Sequence, residues 1–337
     1  MANRRLTRRQ AHHVQRIQER RLARVKQRTQ SNTDDSEANQ LGSEEIGQVL
    51  ANFGSSLMVE NSQGEVIRCV PRANLELMVS GDRVVFQHIN GSEGVVTALV
   101  PRRTELSRPD YGGRLKPLAA NIDRLVVVAA VQPAFDEHLI DRYLAAAELL
   151  GAVPLVVVNK IDLADEGVRK TLHEQMSVYE RIGYQVVYTS TRRKHGLDEL
   201  FRALSGHTSI LVGHSGTGKS SLIKALLPEQ MIRIGDLSEA SGQGRHTTTS
   251  TMLYHLPTGG DLIDSPGVRE FRLYEKDPQR VAEGFIEFRP FLGHCRFRDC
   301  RHETEPDCAL RDAVKQNRID ERRLASYRII VREIASE

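Results

Sequence analysis

Residues 213–220, which read GHSGTGKS, have the types and the spacing that bind a polyphosphate. They match the pattern G-x-x-x-x-G-K-[ST] without a gap, and they follow an apolar run and precede an amphipathic one. Glycines let the backbone wrap around phosphate groups, and a helix that begins near Gly218 adds the positive end of its dipole. We therefore predict a phosphate-binding loop in which Lys219 reaches the β- and γ-phosphates and the Ser220 hydroxyl binds Mg²⁺.

A second segment, NKID at residues 159–162, has the features of a guanine reader. A carboxylate at Asp162 can accept hydrogen bonds from N1–H and from the 2-amino group of guanine, and adenine offers neither correctly. Because an unpaired buried carboxylate is costly, such a site rejects ATP. Thr189, Ser190 and Thr191 follow the next predicted strand, where their backbone can support the base, although a simple loop before a helix explains these three nearly as well.

Residues that follow the phosphate loop in the chain could contact the magnesium ion and the γ-phosphate of GTP. Asp264 ends a predicted strand and can hold the magnesium shell, while the N–H of Gly267 can contact the γ-phosphate. Threonine hydroxyls in the segment GRHTTTS offer a further contact, which we assign to Thr248 or Thr249 without a basis to separate them. The predicted Mg²⁺ contacts are Ser220, Thr248 and Asp264.

The residue after Gly267 is Val268, and an aliphatic side chain cannot orient water as the glutamine of Ras-like GTPases does. His246 in the threonine segment is the nearest candidate for that role, against the alternative of a solvated loop histidine. The predicted catalytic residues are thus His246 and Lys219. The residues predicted to contact GTP are Asn159, Lys160, Ile161, Asp162, Thr189, Ser190, Thr191, Gly213, His214, Ser215, Gly216, Thr217, Gly218, Lys219, Ser220, Ser221, Asp264 and Gly267.

The order of these parts is unusual, because the base segment precedes the phosphate loop. An ordinary GTPase has the reverse order. A site depends on which loops converge in space and domain termini often lie close together, so the order indicates a circular permutation.

Four metal-binding side chains lie within fourteen residues near the end of the chain, with the spacing C-x4-C-x-H-x5-C. Three thiolates and one imidazole make a closed tetrahedral site, which predicts one structural Zn²⁺. Unrelated reduced thiols are the alternative. The predicted ligands are Cys295, Cys300, His302 and Cys308. Cys69 stands alone in a strand-like run and is expected to be a buried apolar residue.

The chain divides into four regions by pattern. Residues 1–40 form a basic arm and a polar linker expected to be disordered, and residues 41–104 show five short alternating runs, typical of an OB-fold or an SH3-like barrel. Residues 105–274 alternate apolar strands with helices, such as the one predicted at 137–150, which indicates a three-layer α/β domain. Residues 275–337 are charged and mostly helical in pattern.

Charge is concentrated in the arm. Residues 1–30 hold ten Arg or Lys and one acid, a local charge of +9, so the rest of the chain sums to 3 − 9 = −6. Such an arm favours a polyphosphate partner, against the alternative of a merely solvated tail. No apolar run reaches the roughly 18–20 residues needed to span a bilayer, and no signal peptide is visible, so we expect a cytoplasmic protein.

Together, the permuted order, GHSGTGKSS, GRHTTTS, DSPGVREF and the Cys/His spacing resemble the RsgA (YjeQ) family of small-subunit-dependent GTPases, from about residue 41 to the end. The resemblance implies an N-terminal OB-fold, a permuted GTPase domain and a C-terminal zinc domain. It also implies a cytoplasmic factor that acts late in maturation of the 30S subunit, with GTP hydrolysis stimulated by that subunit and a role for His246 in hydrolysis.

We therefore expect a GTPase that binds GTP, GDP and 16S ribosomal RNA, works as a monomer, and uses hydrolysis to time its release from the 30S subunit. One alternative is a P-loop kinase that uses ATP, which would need no guanine reader. The other is an RNA-binding scaffold in which the nucleotide only stabilises the fold.

Overall fold

The computed structural model describes residues 42–73, 75–110, 112–134, 136–227, 251–265 and 275–336. Within these ranges the chain forms two compact units. The first holds residues 42–107, 117–121 and 251–253, and the second holds 108–116, 122–227, 254–265 and 275–336. The domain boundaries predicted at residues 40, 104 and 274 stay predictions.

Five strands of the first unit close into a barrel. They are β1 (Glu44–Asn52), β2 (Leu57–Glu60), β3 (Val66–Pro71), β4 (Arg83–Asn90) and β5 (Glu93–Leu99). The order is β1-β2-β3-β5-β4, with β4 returning to β1, and only the β3–β5 pair is parallel. This closed order confirms the predicted OB-fold-like barrel.

Alternation of buried and exposed residues along these strands gives the barrel its core. In β3, Ile67 and Cys69 point inward while Val66, Arg68 and Val70 point outward. Cys69 is fully buried, as predicted, and burial raises the pKa of its thiol to about 12. Two short strands, β6 (Glu105–Pro109) and β7 (Leu115–Ala120), pair with each other after the barrel.

The second unit alternates strands and helices as the apolar runs predict. Its elements in chain order are β8 (Arg124–Ala130), α1 (Glu137–Leu150), β9 (Val153–Asn159), α2 (Glu166–Ile182), β10 (Gln185–Tyr188), α3 (Leu197–Leu204), β11 (Thr208–Val212) and α4 (Lys219–Leu226). Strand β12 (Met252–His255) begins in the first unit, where Met252 pairs with Ala51 of β1, and β13 (Asp261–Asp264) lies in the second unit.

The sheet order is β10-β9-β8-β11-β13, and each adjacent pair is parallel. Parallel strands bring their carboxyl ends to one edge of the sheet. Ligands of such sheets bind at this edge, at the point where the order of the strands reverses. Asn159 ends β9, Tyr188 ends β10, Val212 ends β11 and Asp264 ends β13. The loops that follow all four strands therefore meet at this edge.

Helix α1 shows how the sequence sets local structure. Asp136 caps its first turn by accepting from the backbone N–H of His138, and Gly151 ends it in the left-handed region at φ 79°. The predicted bounds, 137–150, are confirmed. No helix within the described ranges is both long and apolar enough to cross a membrane.

The C-terminal part consists of α5 (Pro278–Glu283), a 3₁₀ segment (Ile286–Phe291), α6 (Ala309–Lys315) and α7 (Glu321–Ser336). Phe285 and Phe288 stack with ring centroids 4.8 Å apart, and Tyr327 meets both edge-on. Arg323 of α7 is fully buried and donates to Asp141 of α1 at 2.6 Å. The C-terminal helices thus pack against helix α1 of the α/β unit.

Candidate nucleotide site and metal centre

The predicted phosphate loop connects β11 to α4 and turns directly into that helix. Gly218 caps α4 in the left-handed region at φ 91°, and a Cβ there would lie 2.4 Å from Asn159 Nδ2. Glycine is needed at this position for two reasons, since both the backbone angle and the approach of the base segment exclude a side chain. Ser220 and Ser221 are exposed on the first turn of α4.

The Lys219 side chain is buried inside the loop. Its ammonium group donates to the carbonyl oxygens of Gly213 and His214, each at 2.7 Å. A buried cation needs such partners, and carbonyl contacts of this kind hold the ammonium where phosphate oxygens could take their place. Thr217 is also tied inward, because its hydroxyl donates to the His214 carbonyl at 3.0 Å. The exposed Ser215 accepts from the His214 ring through its carbonyl, in the tautomer that carries hydrogen on Nδ1.

The base segment is fastened to the phosphate loop by side chains. Asn159 is buried, donates from Nδ2 to the Thr217 carbonyl at 3.0 Å, and accepts from the Thr189 hydroxyl at 3.1 Å. Lys160 donates to the carbonyl of Gly216 at 2.6 Å and to that of Gln132 at 2.8 Å. Segments that lie 58 residues apart in the chain thus form one structure.

Asp162 lies beside the loop that follows β10. The Ser190 hydroxyl donates to Asp162 Oδ1 at 2.5 Å, and the backbone N–H of Ile161 donates to the Thr189 carbonyl at 3.2 Å. The Ser190 hydrogen bond, with the smaller effects of the Arg193 and Arg192 charges, lowers the pKa of Asp162. An ionised carboxylate is the acceptor that guanine requires.

The structure brings together most of the residues predicted to contact GTP. Asp264 is half-buried at the end of β13, next to β11, so it lies at the same edge as the phosphate loop. Thr191 is half-buried after Ser190. Three of the predicted site residues, His246, Thr248 and Gly267, fall outside the described ranges. The alternative Thr249, Val268 and the basic arm at residues 1–30 also fall outside them.

Two features of this site were absent from the sequence-based prediction. The carbonyl of Gln132, in the loop that follows β8, contacts Lys160, and Asn159 links two loops through both ends of its amide. No local pattern marks a backbone carbonyl as a partner, so nothing in the sequence could single out Gln132. An asparagine at the end of a buried strand is a weak signal for the second feature.

The four predicted metal ligands form a compact cluster. Their ligand atoms all lie within 4.8 Å of one another. Cys295 Sγ is 3.5 Å from His302 Nδ1 and 4.0 Å from Cys308 Sγ, and His302 Nδ1 is 3.3 Å from Cys308 Sγ. A tetrahedral Zn²⁺ with Zn–S bonds of about 2.3 Å requires sulfur atoms about 3.8 Å apart, so the cluster fits this ion.

Electrostatics at this cluster favour a cation. Burial raises the pKa of Cys300 to about 12, and it also raises the pKa of Cys308, where the neighbouring Cys295 adds to the effect. Burial lowers the pKa of His302, which keeps the imidazole neutral. A bound divalent cation offsets the electrostatic repulsion between thiolates that lie close together. Arg328 of α7 donates from Nε to the His302 carbonyl at 2.8 Å, which holds the loop in place.

Comparisons with known proteins agree with this geometry. A family model described as RsgA GTPase matches residues 99–274. The chain is 51% identical over 331 residues to the small ribosomal subunit biogenesis GTPase RsgA of Pseudomonas aeruginosa (strain LESB58), covering 98% of each chain. It is 50% identical over 335 residues to the protein of that name from Azotobacter vinelandii, again covering 98% of each.

Two solved structures share the fold. YjeQ from Thermotoga maritima matches with a TM-score of 0.73 and 30% identity, covering 88% of this chain and 100% of that one. YloQ, described as a circularly permuted GTPase, matches with a TM-score of 0.71 and 27% identity, covering 89% and 98%. The similarity covers more of the chain than the sequence motifs indicated. The motifs placed its start at about residue 41, and an alignment over 98% of the chain must begin well before that residue. It extends into the basic arm.

Proposed function

The chain belongs to the RsgA GTPase family, and from this premise we propose that it hydrolyses GTP as a late maturation factor of the small (30S) ribosomal subunit. The observation that carries the proposal is the fastening of the base segment to the phosphate loop through Asn159 and Lys160. That contact supports the proposal because it holds the predicted phosphate loop and the predicted guanine acceptor, Asp162, at one edge of the sheet. Membership of this family argues against the kinase alternative.

Hydrolysis follows from in-line attack of water on the γ-phosphorus, with cleavage of the bond to the β–γ bridging oxygen. Lys219 stabilises the charge that develops on the phosphate oxygens. Ser220, Thr248 and Asp264 are the residues that would hold Mg²⁺, which would neutralise phosphate charge when bound. His246 would orient the attacking water, because Val268 cannot.

The Cys/His cluster holds one structural Zn²⁺ in this proposal. Its support is the grouping of the four ligand atoms within 4.8 Å of one another and the supply of all four ligands by the protein, which leaves no position for a substrate. The ion would staple the loop between the 3₁₀ segment and α6. Arg296, Arg298 and Arg301 then lie on an exposed loop that suits RNA phosphates.

Binding to 16S ribosomal RNA would use three surfaces, which are the barrel, the loop around the metal and the basic arm. The protein would act in the cytoplasm as a monomer, and GTP hydrolysis would time its release from the subunit.

GTP turnover with and without purified small subunits tests this function. We expect the subunits to raise the turnover rate of the wild-type protein, and His246→Ala to lose most of that increase. An unchanged rate would favour the alternative, a nucleotide-binding RNA scaffold without significant turnover. Competition between GDP and ADP for binding checks the guanine preference in the same preparation.

A further inference from the structure

The loop that follows β10 carries an exposed basic turn, which we define as residues 191–195. Arg192, Arg193, Lys194 and His195 are consecutive and exposed. Within the described ranges, no carboxylate lies within ion-pair distance of Arg192, Arg193 or Lys194, although the charges of Arg192 and Arg193 act on Asp162 from further away. The proposed function uses the start of this loop to support guanine, and it assigns no binding partner to these four side chains.

The basic turn has a fixed shape. The backbone N–H of Ser190 donates to the His195 carbonyl at 3.0 Å, and the N–H of His195 donates back to the Ser190 carbonyl at 3.1 Å. Gly196 follows at φ 68°, where a Cβ would lie 2.0 Å from the Tyr188 carbonyl oxygen. The turn therefore folds closely over the end of β10, and it presents its charges from a preorganised backbone, which lowers the entropy cost of binding.

A hydrogen-bond relay connects the basic turn to the guanine reader. The backbone N–H of Arg193 donates to Ser190 Oγ at 3.1 Å, and that hydroxyl donates to Asp162 Oδ1 at 2.5 Å. Since one hydroxyl accepts from the turn and donates to the carboxylate, a shift of the Arg193 backbone changes the hydrogen bond that orients Asp162. A partner on the turn can thus act on the base site without touching the nucleotide.

We propose that the basic turn binds the phosphate backbone of RNA, and that this contact weakens GDP binding through Ser190 and Asp162. Three neighbouring Arg and Lys side chains with no apolar or aromatic residue among them fit a phosphate backbone and not a base or an apolar protein surface. The inference rests on the proposed function, because it takes Asp162 as the guanine reader and the small subunit as the source of RNA.

GDP is the nucleotide that this relay affects most. GTP is held by contacts to its γ-phosphate as well as to its base, while GDP depends more on the base site. Coupling between two binding sites is reciprocal, so a subunit that weakens GDP binding is itself bound more weakly by the GDP form. The relay therefore provides a physical reason for release after hydrolysis.

The first experiment tests the surface by measuring the salt dependence of binding to purified small subunits. The variant combines Arg192→Gln, Arg193→Gln and Lys194→Gln. The control combines Lys170→Gln, Arg202→Gln and Lys224→Gln, which are exposed positions on the same unit without ion pairs and which remove the same charge.

A plot of log K against log salt has a negative slope, and loss of three phosphate contacts reduces the magnitude of that slope by about 2 to 3. We expect this change for the basic-turn variant and little change for the control. Equal slopes for the two variants would overturn the proposal, since net charge would then explain the result. A loss of affinity for subunits but not for deproteinised 16S ribosomal RNA would assign the turn to a ribosomal protein and would also contradict the proposal.

The second experiment tests the relay by measuring GDP dissociation with and without saturating subunits. In the wild type we expect subunits to accelerate GDP release by roughly fivefold or more, within the usual range of such couplings. Ser190→Ala should bring this ratio close to one while the salt slope of subunit binding stays as in the wild type. Thr171→Ala, which removes an exposed hydroxyl on α2, should keep the wild-type ratio, because Thr171 lies outside both the relay and the nucleotide site.

A wild-type ratio in Ser190→Ala would refute the relay. The outcomes also separate this inference from the proposed function. If subunits do not stimulate GTP turnover in the wild type, the proposed function fails. If turnover is stimulated equally in the wild type and in the basic-turn variant, with equal salt slopes, the inference alone fails.

Discussion

At the scale of single residues, the proposed function assigns the choice of base to Asp162. The Ser190 hydrogen bond lowers the pKa of its carboxyl group, and guanine offers two donors to an ionised carboxylate. Replacement by an amide exchanges one acceptor for a donor, which suits the 2-oxo group of xanthine instead.

Asp162→Asn should therefore weaken GDP binding by about 100-fold, the loss of one or two charge-assisted hydrogen bonds, and favour xanthosine diphosphate. Competition binding with the two nucleotides measures the change. Asp165→Asn is the matched control, because Asp165 caps α2 at Val168 nearby and should leave the preference for GDP intact. An unaltered preference in Asp162→Asn would show that another group reads the base.

A second prediction concerns the replacement of one ligand of the metal cluster. Cys300→Ser removes one of four ligands, so the zinc content of the purified protein should fall from about one ion per chain and the melting temperature should drop. Cys69→Ala is the control, because Cys69 is buried in the barrel core and is no part of the cluster. Equal zinc content in the two variants, measured by metal analysis, would contradict the assignment.

At the scale of elements, α1 joins the α/β sheet to the C-terminal helices. Asp141 and Arg323 are both fully buried, and Arg323 also donates to Glu287 at 2.7 Å and lies over the Phe285 ring. A buried carboxylate that loses its cation pays a large desolvation cost.

Arg323→Ala should therefore lower the free energy of unfolding by about 3–5 kcal/mol, as measured by chemical denaturation. Arg332→Ala removes an arginine from the same helix whose pair with Glu303 is exposed, and it should remain close to the wild type. Similar stability losses for the two variants would mean that burial of the Arg323 pair does not matter.

Helix α1 shows what the sequence could and could not predict. Its bounds follow from periodicity, an aspartate cap and a terminal glycine, all of which are local. The burial of Asp141 is not local, because its partner lies 182 residues later in the chain. An acidic residue on a helix normally predicts a solvent-facing position, and here the C-terminal helices cover it.

The nucleotide site follows the same division. The phosphate loop and the base segment were predictable, because their chemistry requires a fixed order of residue types over a few positions. The contacts that fasten them, such as Lys160 to the Gln132 carbonyl, depend on backbone atoms that no residue type reveals. The strand order that brings them to one edge is a property of the whole sheet.

At the scale of the whole molecule, charge is divided between a basic arm and an acidic remainder. Residues 1–30 carry +9, against −6 for the rest. Removal of this arm should lower the salt dependence of subunit binding, because each phosphate contact that is lost reduces the slope by about one.

A full-length chain with the ten Arg and Lys of the arm changed to Gln separates charge from length and should match the deletion. A wild-type slope in both proteins would show that the arm has no part in RNA binding.

Two segments in reversed chain order are predicted to meet over one guanine nucleotide. A crystal structure with a non-hydrolysable GTP analogue tests this prediction through the distance between the Asp162 carboxylate and the guanine N1 and 2-amino nitrogens. We predict hydrogen-bond distances of about 2.7–3.2 Å, with the γ-phosphate beside Lys219. A base bound elsewhere, with Asp162 out of its reach, would show that these two segments do not form one nucleotide site.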